Sequence, residues 1–173
     1  MKEAVVNILK VFVSAAILSA MIMLLIQPVL VSGESMYPNY EDGEYLIVNK
    51  MAYKSGRIPE QGDVVVIKTN VQDLGFLIKR VIAGPGDEIE FKDGYVYVND
   101  KQLDEEYLDD EGETYADYET SYSLKSDEVF CMGDNRLNSM DSRSREVGKI
   151  KIKNILGKAE VRLFPFEKAG LCR

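Results

Sequence analysis

The segment FLIKRVIAGPGDEIEFKDGYVYV, residues 76–98, decides the fold. Phe76 to Ile82 is a mostly apolar, partly β-branched run, and Gly84-Pro85-Gly86-Asp87 stops it, so the pattern predicts a strand followed by a tight turn. Glu88 to Phe91 and Gly94 to Val98 then predict a hairpin turning at Lys92-Asp93. Working outward, Tyr45 to Val48 and Val64 to Ile67, the second just after Gly62-Asp63, read as earlier strands. Val129 to Met132 and Ile155 to Phe164 read as later ones. Many short strands without a long amphipathic helix indicate an all-β domain of antiparallel sheets or partial-barrel type.

Two departures interrupt that pattern. The first is N-terminal: Val11 to Gly33 carries no charge, and Val11 to Ile26 is broken only by Ser14 and Ser19. With Ala4 to Leu9 on the other side of Lys10, the run approaches the roughly 20 residues that cross a bilayer core. Pro28 ends the helical pattern. Lys2 and Lys10 precede the span and Glu41, Asp42 and Glu44 follow it, so the N-terminus is expected in the cytoplasm and the β domain outside. Residues 1–30 thus read as a cytoplasmic tip and single-pass anchor in the cell membrane, and 31–173 as an extracytoplasmic domain. The rival is a cleavable signal peptide, since Val31-Ser32-Gly33 loosely resembles a cleavage site.

The second departure is a run from Asp104 to Glu119 holding nine acids and no base. It reads as a solvated insertion over about 101–126, although Tyr107, Tyr115 and Tyr118 could pack it on the sheet as a small cap.

The totals narrow the chemistry. A formal charge of −8 argues against a nucleic-acid partner, because neutralising phosphates takes clustered Lys and Arg. The two cysteines, Cys131 and Cys172, form no CxxC pair and there is no histidine, so no metal site is expected. Cys131, between Phe130 and Met132, reads as a buried inert thiol. The absence of histidine also removes Ser-His-Asp and Cys-His arrangements, leaving a lysine, a carboxylate or a metal to activate any nucleophile.

Ser32 and Ser35 lie just after the apolar run, and Lys79 sits inside the strand of the opening segment, on the face of Leu77 and Val81. If that face is buried, desolvation disfavours the ammonium form and a neutral amine could take a hydroxyl proton. Taken alone, the same lysine could equally keep an edge strand soluble.

The motifs combined go further. Ser35-Met36-Tyr37-Pro38, Gly62-Asp63-Val64-Val65-Val66, Lys79 to Asp87, and Gly133-Asp134-Asn135-Arg136-Leu137-Asn138-Ser139-Met140-Asp141-Ser142-Arg143, behind an N-terminal anchor, resemble in order and spacing the type I signal peptidases, or leader peptidases. The single span resembles the shorter enzymes of Gram-positive bacteria. The resemblance implies a serine endopeptidase, without cofactor, that removes signal peptides from secreted preproteins after Ala-x-Ala-type small residues. It implies Ser35 as nucleophile, Lys79 as general base, Ser139 as the hydroxyl orienting the lysine amine, and Arg80, Asp134, Arg136, Asp141 and Arg143 as charged residues bracing the site. The Ser35 backbone N–H is the expected oxyanion donor. Some members add a serine hydroxyl two residues earlier, where this chain has Gly33, so no side-chain donor is assigned; Ser32 is one place too early. Val31, Met36, Leu77 and Ile78 are expected to line shallow pockets for an added peptide strand. A self-cleaving repressor shares a Ser-Lys dyad but lacks an apolar N-terminal span, and a non-cutting peptide-binding module would not need Ser35, Lys79 and Ser139 together.

Overall fold

The computed structural model describes residues 2–54, 56–69, 71, 75–108 and 113–172. Three acids of the insertion, Asp109, Asp110 and Glu111, lie outside the described residues.

The apolar run forms helix α1, Lys2–Leu25, exposed from Glu3 to Leu25. Its stretch Glu3–Leu25 has a mean hydropathy of 2.4 and is long and apolar enough to cross a membrane. The helix stops three residues before Pro28, and Ile26–Leu30, assigned from sequence to the anchor segment, is a strand instead. Pro28 is tolerated there because that strand lies at the end of its sheet, where a missing N–H breaks no ladder on the open side.

Among the described residues twelve strands follow the helix. They are β1 Ile26–Leu30, β2 Tyr45–Asn49, β3 Val64–Lys68, β4 Phe76–Ala83, β5 Glu88–Lys92, β6 Tyr95–Val98, β7 Lys101–Gln102, β8 Ser121–Ser123, β9 Glu128–Met132, β10 Ile150–Lys151, β11 Ile155–Phe164 and β12 Gly170–Leu171. All pairings are antiparallel. One sheet runs β1-β2-β11-β3-β4-β9-β10 with β12 beside β11; the other runs β7-β6-β5-β8. The expected all-β architecture is therefore present, as open sheets and not a closed barrel. The long strand β11 is the spine of the larger sheet, and register shifts against β2 and β3 bend it. The β5–β6 hairpin is placed correctly, but its turn is Asp93-Gly94, both with positive φ, one residue later than the sequence suggested. An Asp-Gly pair suits that tight turn better than Lys-Asp.

Strands β3, β4 and β9 are buried on both faces, which explains their nearly continuous apolar runs. One face packs Val65, Ile67, Leu77, Val81, Val129, Cys131 and Ile150 together; the other holds Val31, Met36, Tyr40, Leu46, Val64 and Ala159. A third cluster, including Ile82, Ile89, Phe91, Tyr122 and Phe130, joins the two sheets. Lys79 and Arg80 lie in the middle of this doubly covered region.

Candidate active site

Ser35 is carried by the loop between β1 and β2. The loop is fixed at its base by Val31 N–H to Glu44 O (2.8 Å) and Gly43 N–H to Val31 O (3.0 Å), and Met36 and Tyr40 sink into the core on either side of its turn. That leaves Ser35 against the middle of β4, where Lys79 Nζ donates to Ser35 Oγ at 2.6 Å. The pair is 44 residues apart in sequence, and sheet formation alone brings them together.

Lys79 is only 2% exposed. Burial among apolar neighbours lowers its pKa to about 8, against the opposing pull of the Asp141 and Asp134 charges; Arg143 adds to the lowering. Cys131 stays a neutral thiol, because burial pushes its own pKa up. Cys131 and Cys172 are both free. A lysine titrating near 8 holds a usable fraction of free amine, about a tenth at pH 7. In that neutral form the hydrogen bond reverses, and Ser35 Oγ–H donates to Nζ.

The segment after β9 wraps the site. Ser35 O accepts from Asn135 N–H at 3.0 Å. Gly133 is enclosed so tightly that a Cβ there would overlap Ser35 O and Ser139 Oγ. Asp141 accepts from Gly133 N–H (3.0 Å) and from Arg143 Nε and Nη2 (2.9 Å each), and Arg143 Nη2 also donates to Arg136 O (2.9 Å). Burial alone would raise the Asp141 pKa, but the Arg143 hydrogen bonds and charge, with Gly133 N–H, hold it below the usual carboxylate value. Ser139 Oγ is buried and makes no well-formed hydrogen bond, although it lies near enough to Asp141 to help keep that carboxylate ionised. No hydrogen bond joins it to Lys79 in this arrangement.

Arg80, beside Lys79 but pointing to the opposite face, grips Asp134 with Nε at 2.8 Å and Nη2 at 2.6 Å, donates to Gly62 O at 3.0 Å, and stacks on the Tyr107 ring at 4.2 Å. Burial works against its charge, yet Asp134 outweighs it and raises the pKa. All five expected bracing residues are thus buried.

The acidic insertion behaves differently from the solvated loop expected. Glu105 holds Arg136 through Oε1 (2.5 Å) and Oε2 (3.1 Å), Thr114 Oγ1 accepts from Arg136 at 2.5 Å, and Tyr107 covers Arg80. Asn39 Nδ2 donates to both Tyr107 O (2.6 Å) and Asp134 Oδ2 (2.9 Å). The capping alternative describes this part of the insertion, because buried arginines of the site need its acceptors and its aromatic face. Sequence reasoning missed Asn39, Glu105, Tyr107 and Thr114; the one signal was the tyrosines set among the acids.

An open cleft of about 560 Å³ leads to the pair, with Gly33, Ser35, Leu77, Lys79, Asn138 and Met140 on its walls. Leu77 is the expected pocket residue that reaches it; Val31 and Met36 are buried in the adjoining core, and Ile78 packs against them. Strand β4 pairs with β3 from Phe76 onward but with β9 only from Arg80, so its cleft-side edge is open at Leu77 to Lys79. Gly33, with φ +86, occupies a backbone conformation that would strain any side chain.

Comparison with known proteins assigns the class. The family described as signal peptidase, peptidase S26, matches residues 5–164. A signal peptidase I of Bacillus caldolyticus is 35% identical over 168 residues, covering 91% of this chain and 90% of that protein. Signal peptidase IB of Staphylococcus aureus strain Mu50 is 35% identical over 182 residues, covering 96% and 93%. The crystal structure of a signal peptidase I from Enterococcus faecalis V583 superposes with a TM-score of 0.50 at 26% identity, over 59% of this chain and 97% of that one. The class is therefore serine peptidase on an antiparallel β scaffold. Within it, the chain belongs to the signal peptidase family, peptidase S26, and signal peptide removal of the signal peptidase I type is the activity that membership carries.

Proposed function

We propose that the chain cleaves preproteins by a Ser35–Lys79 dyad through an acyl-enzyme. The neutral Lys79 amine removes the Ser35 hydroxyl proton as Oγ attacks the scissile carbonyl, and the Ser35 N–H stabilises the oxyanion. The ammonium then returns the proton to the leaving amine, and a water activated by the same amine releases the acyl group. The observation that carries this reading is the 2.6 Å contact between Lys79 Nζ and Ser35 Oγ in a setting that holds the lysine near 8. In this reading the Ser139 hydroxyl, buried and without a well-formed hydrogen bond, takes up the Lys79 amine once Oγ is acylated. Arg80, Asp134, Arg136, Asp141 and Arg143 keep the walls around both residues rigid.

The substrate strand adds to the open edge of β4, and the cleft beside Leu77 accepts small side chains of the Ala-x-Ala type. Helix α1 spans the bilayer with the N-terminus cytoplasmic, residues 31–173 form the extracytoplasmic catalytic domain, and Ser35 is held where a signal peptide emerges. Cleavage of an Ala-x-Ala peptide by the purified chain tests this reading. Wild type is expected to cut after the second alanine while Ser35→Ala and Lys79→Ala are inactive; full activity in either variant would sink the dyad.

A further inference from the structure

We propose that a groove beside the C-terminal end of α1 binds the headgroup of an anionic phospholipid. The proposal rests on the reading of α1 as a membrane anchor. The groove, of about 180 Å³, is formed by Lys50, Tyr53, Lys54, Lys153, Ile155 and Leu156, with Ile152 completing the wall.

Its place in the fold comes from the helix end. The last carbonyls of a helix have no partner within it, and here Lys50 supplies two: its N–H donates to Leu25 O at 2.9 Å and its Nζ to Met23 O at 2.5 Å. Ile26 pairs with Asn49, so β1 and the start of the Lys50–Lys54 turn leave the helix end together. The groove therefore sits at the depth where α1 emerges from the bilayer.

Its chemistry is opposite to that of the whole chain. The formal charge is −8, yet three lysines line this groove with no acid among the lining residues, Lys50 with its ammonium on Met23 O. Lys54 and Lys153 are exposed, and among the described residues neither pairs with a carboxylate. The Tyr53 hydroxyl is taken by Asp63 at 2.7 Å, which Lys158 neutralises, so the tyrosine presents its ring to the groove. A cationic rim over a tyrosine and aliphatic wall fits an amphiphile: ammonium groups to phosphate oxygens, and the apolar wall to the glycerol and first methylenes. A free phosphate would leave that wall unused, which favours the lipid.

The test uses the full chain in lipid nanodiscs of phosphatidylcholine alone or phosphatidylcholine with phosphatidylglycerol, with each lysine footprinted by an amine-acylating reagent. Phosphatidylglycerol is expected to slow acylation of Lys54 and Lys153 by about tenfold relative to phosphatidylcholine, and to leave the distant exposed Lys92 and Lys125 unchanged. Native mass spectrometry should show phosphatidylglycerol retained over phosphatidylcholine, with the preference lost in K54Q/K153Q while cleavage of a soluble peptide is kept. Equal protection by both lipids, or phosphatidylglycerol preference surviving in the double variant, would overturn the proposal and leave the anchor standing. Failure of wild type to enter phosphatidylcholine discs would remove the anchor and this proposal with it. Displacement of the lipid preference by inorganic phosphate alone would also count against it.

Discussion

Lys79 and Arg80 are consecutive residues on one strand, both 2% exposed, and they end in opposite electrostatic states. Arg80 meets a bidentate carboxylate, a carbonyl and an aromatic face, and its charge is fixed. Lys79 meets a serine hydroxyl among apolar side chains, with carboxylates near enough to feel but none in ion-pair contact among the described residues, and its proton becomes removable. Burial is the same in both; the partner decides whether it yields a structural charge or a titrating base.

The sharpest way to break that comparison is to make position 79 like position 80. Lys79→Arg puts a permanent cation against Ser35, and kcat/KM for peptide cleavage is expected to fall by about 10⁴-fold or more while the fold persists. Retained activity would mean the base lies elsewhere. The converse change strips a partner from the paired side. Asp134→Asn leaves the buried Arg80 charge uncompensated and is expected to lose about 3–5 kcal/mol in denaturant unfolding.

Lys79 should also register in stability. It titrates near 8 in the fold and near 10.5 when unfolded, so the unfolded chain binds more protons between those values. The contribution of Lys79 to stability should therefore rise with pH across that window, by about 3 kcal/mol, read as the difference in pH dependence between wild type and Lys79→Met. Smaller effects are expected at the insertion. Glu105→Gln, which takes the charge from the carboxylate holding Arg136, should lower stability by about 1–2 kcal/mol. Tyr107→Leu, which uncovers Arg80, should lower it by about 1 kcal/mol. Both should reduce kcat more than they raise KM, since the residues brace the site without lining the cleft.

The sequence reading reached the strands because their signals are local: alternation, β-branched runs, and turns rich in Gly, Pro and Asp. It reached Ser35, Lys79 and the Gly133–Arg143 segment through motif order. It misplaced the hairpin turn by one residue and carried the anchor segment through β1, because an edge strand of apolar residues next to a helix looks like more helix. Glu105, Tyr107, Thr114 and Asn39 were illegible for a different reason. Their role depends on which buried arginine each one meets, and contacts across 31 residues for Glu105–Arg136 or 95 for Asn39–Asp134 leave no local pattern. Val31 and Met36, expected at the pockets, pack with Leu46, Val64 and Ala159 in the core, a burial their place in the motif does not reveal.

The central claim is that Lys79 acts as a neutral base near pH 8. With no histidine in the chain, the pH dependence of kcat/KM on an amino-blocked Ala-x-Ala peptide lacking titrating side chains reports it directly. The account predicts a tenfold rise per pH unit that levels off at about pH 8. A rise continuing to the ordinary lysine value of 10.5, or a flat profile, would contradict it.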